Sequence, residues 1–172
     1  MKVTPKIIAL FVIMGGFSGT AFCQQSVSAT SSVSATVVSP LAISKVTDLN
    51  FGNVSVSGTL GTVILTPQNA RSTTGGCQLA NGNMGSVSAA SFSVTGQDNY
   101  AYGITLPAST TLSGGSGLSM SVDTYITNQG TTGTLGTGPQ ILNVGGTLHL
   151  AASQAPGVYT LPAGLLVTVS YN

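Results

Sequence analysis

One histidine, three aspartates, no glutamate and two cysteines are what this sequence offers for acid–base, nucleophilic or metal chemistry. His149 stands between Leu148 and Leu150. Alternate residues of a strand share a face, so His149 points away from the two leucines and toward solvent, and a surface histidine is expected. A hydrolytic triad would need His149, one of Asp48, Asp98 and Asp123, and a serine, but the sequence contains no Gly-x-Ser-x-Gly elbow. No His or Cys pair has the spacing of zinc ligands, and neither Asp98 nor Asp123 belongs to a calcium-loop pattern. Spacing alone leaves paired aspartates open for glycoside cleavage, although glutamate is absent. Gly114, Gly115 and Gly117 precede a strand-like run, whereas a phosphate-cradling loop opens a helix. Asn53-Val54-Ser55 matches the glycosylation acceptor, a motif common by chance. The residues therefore predict neither an enzyme nor a bound cofactor or metal.

Two weaker candidates remain. Tyr100 and Tyr102 with Asn99 have the makings of a sugar-stacking shelf, but Tyr102 alternates with Ile104 and Leu106 and is expected in the core. Cys77 is either a lone buried thiol or, if the leader is cut after Ala21, a disulfide partner for Cys23.

The elements that would carry a site are strands. Thr, Val and Ser dominate, and Gly or Pro interrupts the chain every few residues, as in a fold of short strands. The first is read in Val27, Ala29, Val33, Ala35 and Val37, which alternate with hydroxyl residues up to Pro40. Others are read at Thr59–Thr66, Cys77–Leu79, around Phe92 and Val94, over Tyr102, Ile104 and Leu106, from Leu118 through Met120, Val122 and Thr124 to Ile126, and over Leu142, Val144, Leu148 and Leu150, with a bulge at Gly145-Gly146. Asn69–Gly76 and Asn128–Pro139 read as loops. The terminal run sets Leu165, Val167, Val169 and Tyr171 on one face. A terminus this apolar must be buried against a sheet or captured by another protein. Together these elements predict an all-β, antiparallel, immunoglobulin-like β-sandwich.

Residues 1–23 have the layout of a secretory signal: Lys2 and Lys6, an apolar run Ile7–Phe17, then small residues. That run is shorter than the about 20 residues that span a bilayer. Cleavage is expected after Ala21 or Cys23, and the bulk of Phe22 argues against lipidation of Cys23. Residues 24–172 then form one domain, exported to the periplasm, cell surface or a fimbria, with 24–38 available as a separate N-terminal strand and no membrane span. Beyond the leader, Lys45 and Arg71 face three aspartates, a charge too sparse for nucleic acid. Uncharged strands are poorly protected against edge-to-edge association, a property that suits a subunit built to polymerise.

Seven stretches, taken in order, resemble a secreted bacterial family known as domain of unknown function 4402: Ser39-Pro40-Leu41-Ala42-Ile43-Ser44-Lys45, Asp48-Leu49-Asn50-Phe51-Gly52, Ala90-Ser91-Phe92-Ser93-Val94-Thr95-Gly96, Tyr102-Gly103-Ile104-Thr105-Leu106-Pro107, Val144-Gly145-Gly146-Thr147-Leu148, Gly157-Val158-Tyr159 and Val167-Thr168-Val169-Ser170-Tyr171-Asn172. That family is similar to chaperone–usher fimbrial subunits and spore-coat-U-like pilins. The resemblance implies a subunit of a homopolymer, escorted by a periplasmic chaperone to an outer-membrane usher. It implies assembly roles for Gly157, Leu165, Val167, Val169 and Tyr171 in the C-terminal strand, and for Val27, Ala29, Val33, Ala35 and Val37 as a donor strand. The competing expectation is a self-contained sandwich that binds carbohydrate or protein through the loops Asn69–Gly76 or Asn128–Pro139.

Overall fold

The computed structural model describes residues 25–79 and 82–172. The chain divides into two units, Met1–Thr36 and Val37–Asn172. In the first, residues 25–36 belong to no strand and are exposed. The expected leader, Cys23 and both cleavage points lie outside the described residues.

The second unit is all-β, and every strand pair in it is antiparallel. Its strands are β1 (Ala42–Thr47), β2 (Asn50–Phe51), β3 (Val54–Leu65), β4 (Arg71–Leu79), β5 (Val87–Ser88), β6 (Ala90–Thr95), β7 (Ala101–Thr105), β8 (Ser109–Ser113), β9 (Ser119–Thr127), β10 (Thr132–Thr134), β11 (Gln140–Leu150) and β12 (Thr168–Tyr171). The large sheet has the order β1-β6-β11-β3-β4, with β9 on β11 and β8 on β9. A second sheet runs β10-β7-β12, and β2 pairs with β5.

β11 organises the large sheet. Gln140–Val144 pairs with β6, Gly146–Leu150 pairs with β3, and β9 pairs with the stretch between Val144 and His149. The exchange of partners falls at Gly145, where a Cβ would run into the Leu65 carbonyl. The bulge expected at Gly145-Gly146 is present as a register shift between Gly145 and Thr147.

Two clusters make the core. In the first, Ala90, Phe92 and Val94 of β6 and Leu142 and Val144 of β11 meet Tyr102 and Ile104 of β7, Leu135 and Val167. Both sheets contribute, and Tyr102, Val94, Leu142 and Val144 are fully buried. In the second, Val63, Leu65, Cys77, Val122, Leu148 and Leu150 all come from the large sheet, and Phe51 joins them from β2, with half-buried Leu49 and Val87 packed against the cluster. Among the described residues the second cluster is met by the two-stranded β2–β5 pair, through Phe51 and half-buried Val87, where the first is met by the three strands β10-β7-β12.

Several expectations are corrected. Val27, Ala29, Val33, Ala35 and Val37 form no strand in this chain; alternation assigns faces but supplies no partner. Asn69–Gly76 is mostly strand, because Arg71–Gly75 pairs with Gly61–Leu65. Asn128–Pro139 contains β10, which pairs with β7 and leads into buried Leu135. Thr124 and Ile126 leave the face of Met120 and Val122. Asp123 pairs with Thr147 and Ile126 with Gly145, so two residues, Thr124 and Tyr125, oppose Gly146. Tyr125 then turns to the core and Ile126 outward. β8 was hidden in the Ser/Thr stretch before Gly114.

Candidate functional site

A groove opens over the second cluster. Its floor includes Phe51, Phe92, Val122, Leu148 and Leu150, all buried members of the core. Half-buried Leu49, Leu112 and Met120 edge it, and the irregular segment 156–165 supplies the other wall. The volume is about 1150 Å³, above the roughly 300–1,000 Å³ of small-molecule sites. Space of that size suits a stretch of polypeptide.

The wall segment is lightly held. Ser113 and Thr160 exchange backbone hydrogen bonds of 2.7 and 2.9 Å, a single isolated bridge. The Tyr159 hydroxyl donates to the Ala155 carbonyl at 2.8 Å and accepts from Gln154 Nε2 at 2.8 Å. Its ring lies over Gly114, where a Cβ would approach it to 2.7 Å. Gly157 lines the groove in the open, and neighbouring Val158 is 81% exposed. On the opposite rim Lys45 and Asp48 form an exposed ion pair at 2.7 Å, worth about 0–1 kcal/mol. Arg71 Nη1 donates to the carbonyls of Phe51 (2.5 Å) and Asn53 (3.2 Å), fixing the turn that brings Phe51 into the floor.

A family model described as "Domain of unknown function (DUF4402)" matches residues 41–171. The chain belongs to this family. The match begins one residue before β1 and ends on the last residue of β12, so the DUF4402 domain coincides with the folded strands and leaves out residues 25–40. No curated protein and no solved structure matches the chain.

The C-terminal strand of the DUF4402 domain lies at the edge of its sheet. β12 pairs with β7 alone, and β1 pairs with β6 alone, so each has an edge without a strand partner among the described residues. Val167 is buried in the first cluster, while Leu165, Val169 and Tyr171 are half-buried against it. The Tyr171 hydroxyl accepts the Gln97 N–H at 2.7 Å and donates to the Ser39 carbonyl at 2.8 Å. Its ring also meets Tyr100 edge to face, with centroids 5.7 Å apart. This clasp ties the end of β12 to the start of β1. At their other ends Leu165, before β12, and Lys45, Thr47, Asp48 and Leu49, at the end of β1, line the groove. β1 and β12 thus run in opposite senses, tied at one end and bordering the groove at the other.

The remaining candidates fall elsewhere. Val27, Val33 and Val37 are 88–95% exposed, and Ala29 and Ala35 are exposed as well. Tyr102 is in the core as expected, which leaves Tyr100 at the surface and removes the two-ring shelf. Cys77 is a free buried thiol, and burial raises its pKa, so it is a poor nucleophile. His149 is half-exposed on the face away from the core, paired with Asp123 at 2.8 Å. Sequence reasoning found the C-terminal strand, but not Leu49, Phe51, Leu112 or Leu150 as one surface. They come from four separate strands or loops, and no spacing in the sequence announces their meeting.

Proposed function

We propose that this protein is a secreted structural subunit of a fimbria or surface fibre, joined to its neighbours by strand donation. The observation that carries the reading is an unfilled apolar groove beside two strand edges in a chain that also has an exposed, unpaired, alternating segment. Val27, Ala29, Val33, Ala35 and Val37 of one subunit would enter the groove of the next. Their backbone would pair with a free edge while their apolar face covers Leu49, Phe51 and Leu165. An inserted strand running beside both β1 and β12 is antiparallel to one and parallel to the other.

The energetics favour a preformed groove. Burying three valines yields about 1.5–3 kcal/mol each. Ordering about ten residues costs an amount of similar size. The backbone ladder and a groove already open in the acceptor must therefore supply the net affinity. In this reading the domain is an immunoglobulin-like sandwich with its second layer incomplete over one half. Before assembly, the same groove would be covered by a periplasmic chaperone, which delivers the subunit to an outer-membrane usher. The molecule acts by packing and pairing and needs no catalytic group.

The test is a deletion of residues 24–36 from the exported protein, followed by size-exclusion chromatography and electron microscopy. The truncated chain should fold, remain monomeric and bind an added peptide of residues 25–37, while the full chain forms fibres. Undiminished polymer after the deletion removes the reading. So does a truncated domain that ignores the peptide.

A further inference from the structure

The outer face of the large sheet, opposite the core, carries a second depression. It has a volume of about 450 Å³ and is lined by Thr62, Thr111, Ser121, His149, Gln154 and Leu60 among others. Register explains why hydroxyls gather there. Thr74 pairs with Thr62, Thr62 with His149, His149 with Ser121 and Ser121 with Thr111. One rung across five strands thus sets four hydroxyls and an imidazole in a row, about 4.8 Å apart from strand to strand.

Two irregularities shape this place. The β3–β4 ladder slips between Val56 and Gly61, so Ser57–Leu60 swells outward and leaves Leu60 70% exposed at the rim. On β9, Thr124 takes φ +48° at the bulge opposite Gly146. A β-branched residue in the left-handed region is strained, and such strain concentrates at functional sites. The Thr124 hydroxyl donates to Asp123 Oδ1 at 3.0 Å, and the same oxygen meets His149 Nε2 at 2.8 Å.

These contacts fix the histidine's role. The hydrogen bonds from His149 and then Thr124 hold the Asp123 carboxyl below its ordinary range, so it is an anion at neutral pH. An anion only accepts, which makes Nε2–H the donor and leaves Nδ1 of a neutral imidazole as an acceptor. No other described residue bonds to Nδ1. The depression is lined by no Lys or Arg, and the nearby carboxylate is already engaged. An anionic ligand would find no counter-charge, and a cation only a spoken-for carboxylate.

We propose that this depression binds a neutral carbohydrate, with the hydroxyls of Thr62, Ser121 and Thr111 and the Nδ1 of His149 meeting sugar hydroxyls and Leu60 covering a C–H face. The site is on the opposite side of the sheet from the groove and does not depend on strand donation.

The test uses the full chain on a panel of immobilised neutral oligosaccharides with hexose, N-acetylhexosamine and deoxyhexose ends, beside sialylated and sulfated ones. Binding to a neutral member is expected, and none to the sialylated or sulfated ones alone. His149→Phe should lower it about tenfold, and Thr62→Val with Ser121→Val by at least as much. His149→Gln keeps an acceptor oxygen, so it should retain binding. Unchanged thermal unfolding of each variant ties the losses to the site. No neutral sugar bound, acidic sugars alone bound, or binding untouched in both His149→Phe and the Thr62/Ser121 double variant would each overturn the proposal.

Discussion

The two halves of the core are built from similar residues and end in different states. Over the first cluster, Tyr102 and Ile104 of β7 and Val167, just before β12, lie against β6 and β11, and the centre is closed. Over the second, the large sheet presents Val122, Leu148 and Leu150 to a groove and an irregular wall. The difference is one of coverage and not of hydrophobicity. A sheet's apolar face is satisfied only by a second layer, and here that layer stops halfway. The open half is where another strand would find both a surface to bury and an edge to pair with.

Core truncations should separate the halves most strongly. Leu142→Ala in the closed half should cost about 2–5 kcal/mol, since the cavity left behind has packed walls. Leu112→Ala at the edge of the groove should cost about 1 kcal/mol, because space already adjoins it. Denaturant midpoints measure both, and equal losses would break the distinction.

The clasp at the closed end gives the next effect. Tyr171→Phe removes one donated and one accepted hydrogen bond and should cost about 1–3 kcal/mol. Hydrogen exchange sharpens the same point. Amides of β6, β7 and β11 should exchange slowly. Those of 156–165 should exchange fast and slow down when the 25–37 peptide is added. Equal exchange across the two halves would show that the wall is as well held as the sheet.

The smallest effect lies outside both halves. Asp123 has a lowered pKa in the folded protein, so its contribution is present above the unfolded carboxylate value of about 3.9 and is lost as pH falls through the folded value. Asp123→Asn should flatten the acid limb of stability below about pH 4. Thermal unfolding across that range measures it.

Much of this was legible from residue order. Alternation in Phe92–Val94, Tyr102–Ile104 and Leu142–Val144 placed strands and inward faces, because a pleated strand repeats every two residues whatever it pairs with. The terminal face of Leu165, Val167, Val169 and Tyr171 was equally plain, as was the bulge at the paired glycines. The order of short motifs along the chain marked the family.

Pairing and coverage were decided in three dimensions. Ser72-Thr73-Thr74-Gly75-Gly76 has the composition of a loop and becomes strand only because β3 lies beside it. Thr124-Tyr125 shifts the inward face of β9 because Gly146 alone stands opposite. The meeting of His149 with Asp123, and the groove over Leu148 and Leu150, bring together side chains far apart along the chain. A sequence dictates which way each side chain points from its own strand. Which strand lies alongside, and whether anything lies above, depends on the competition among all the strands at once.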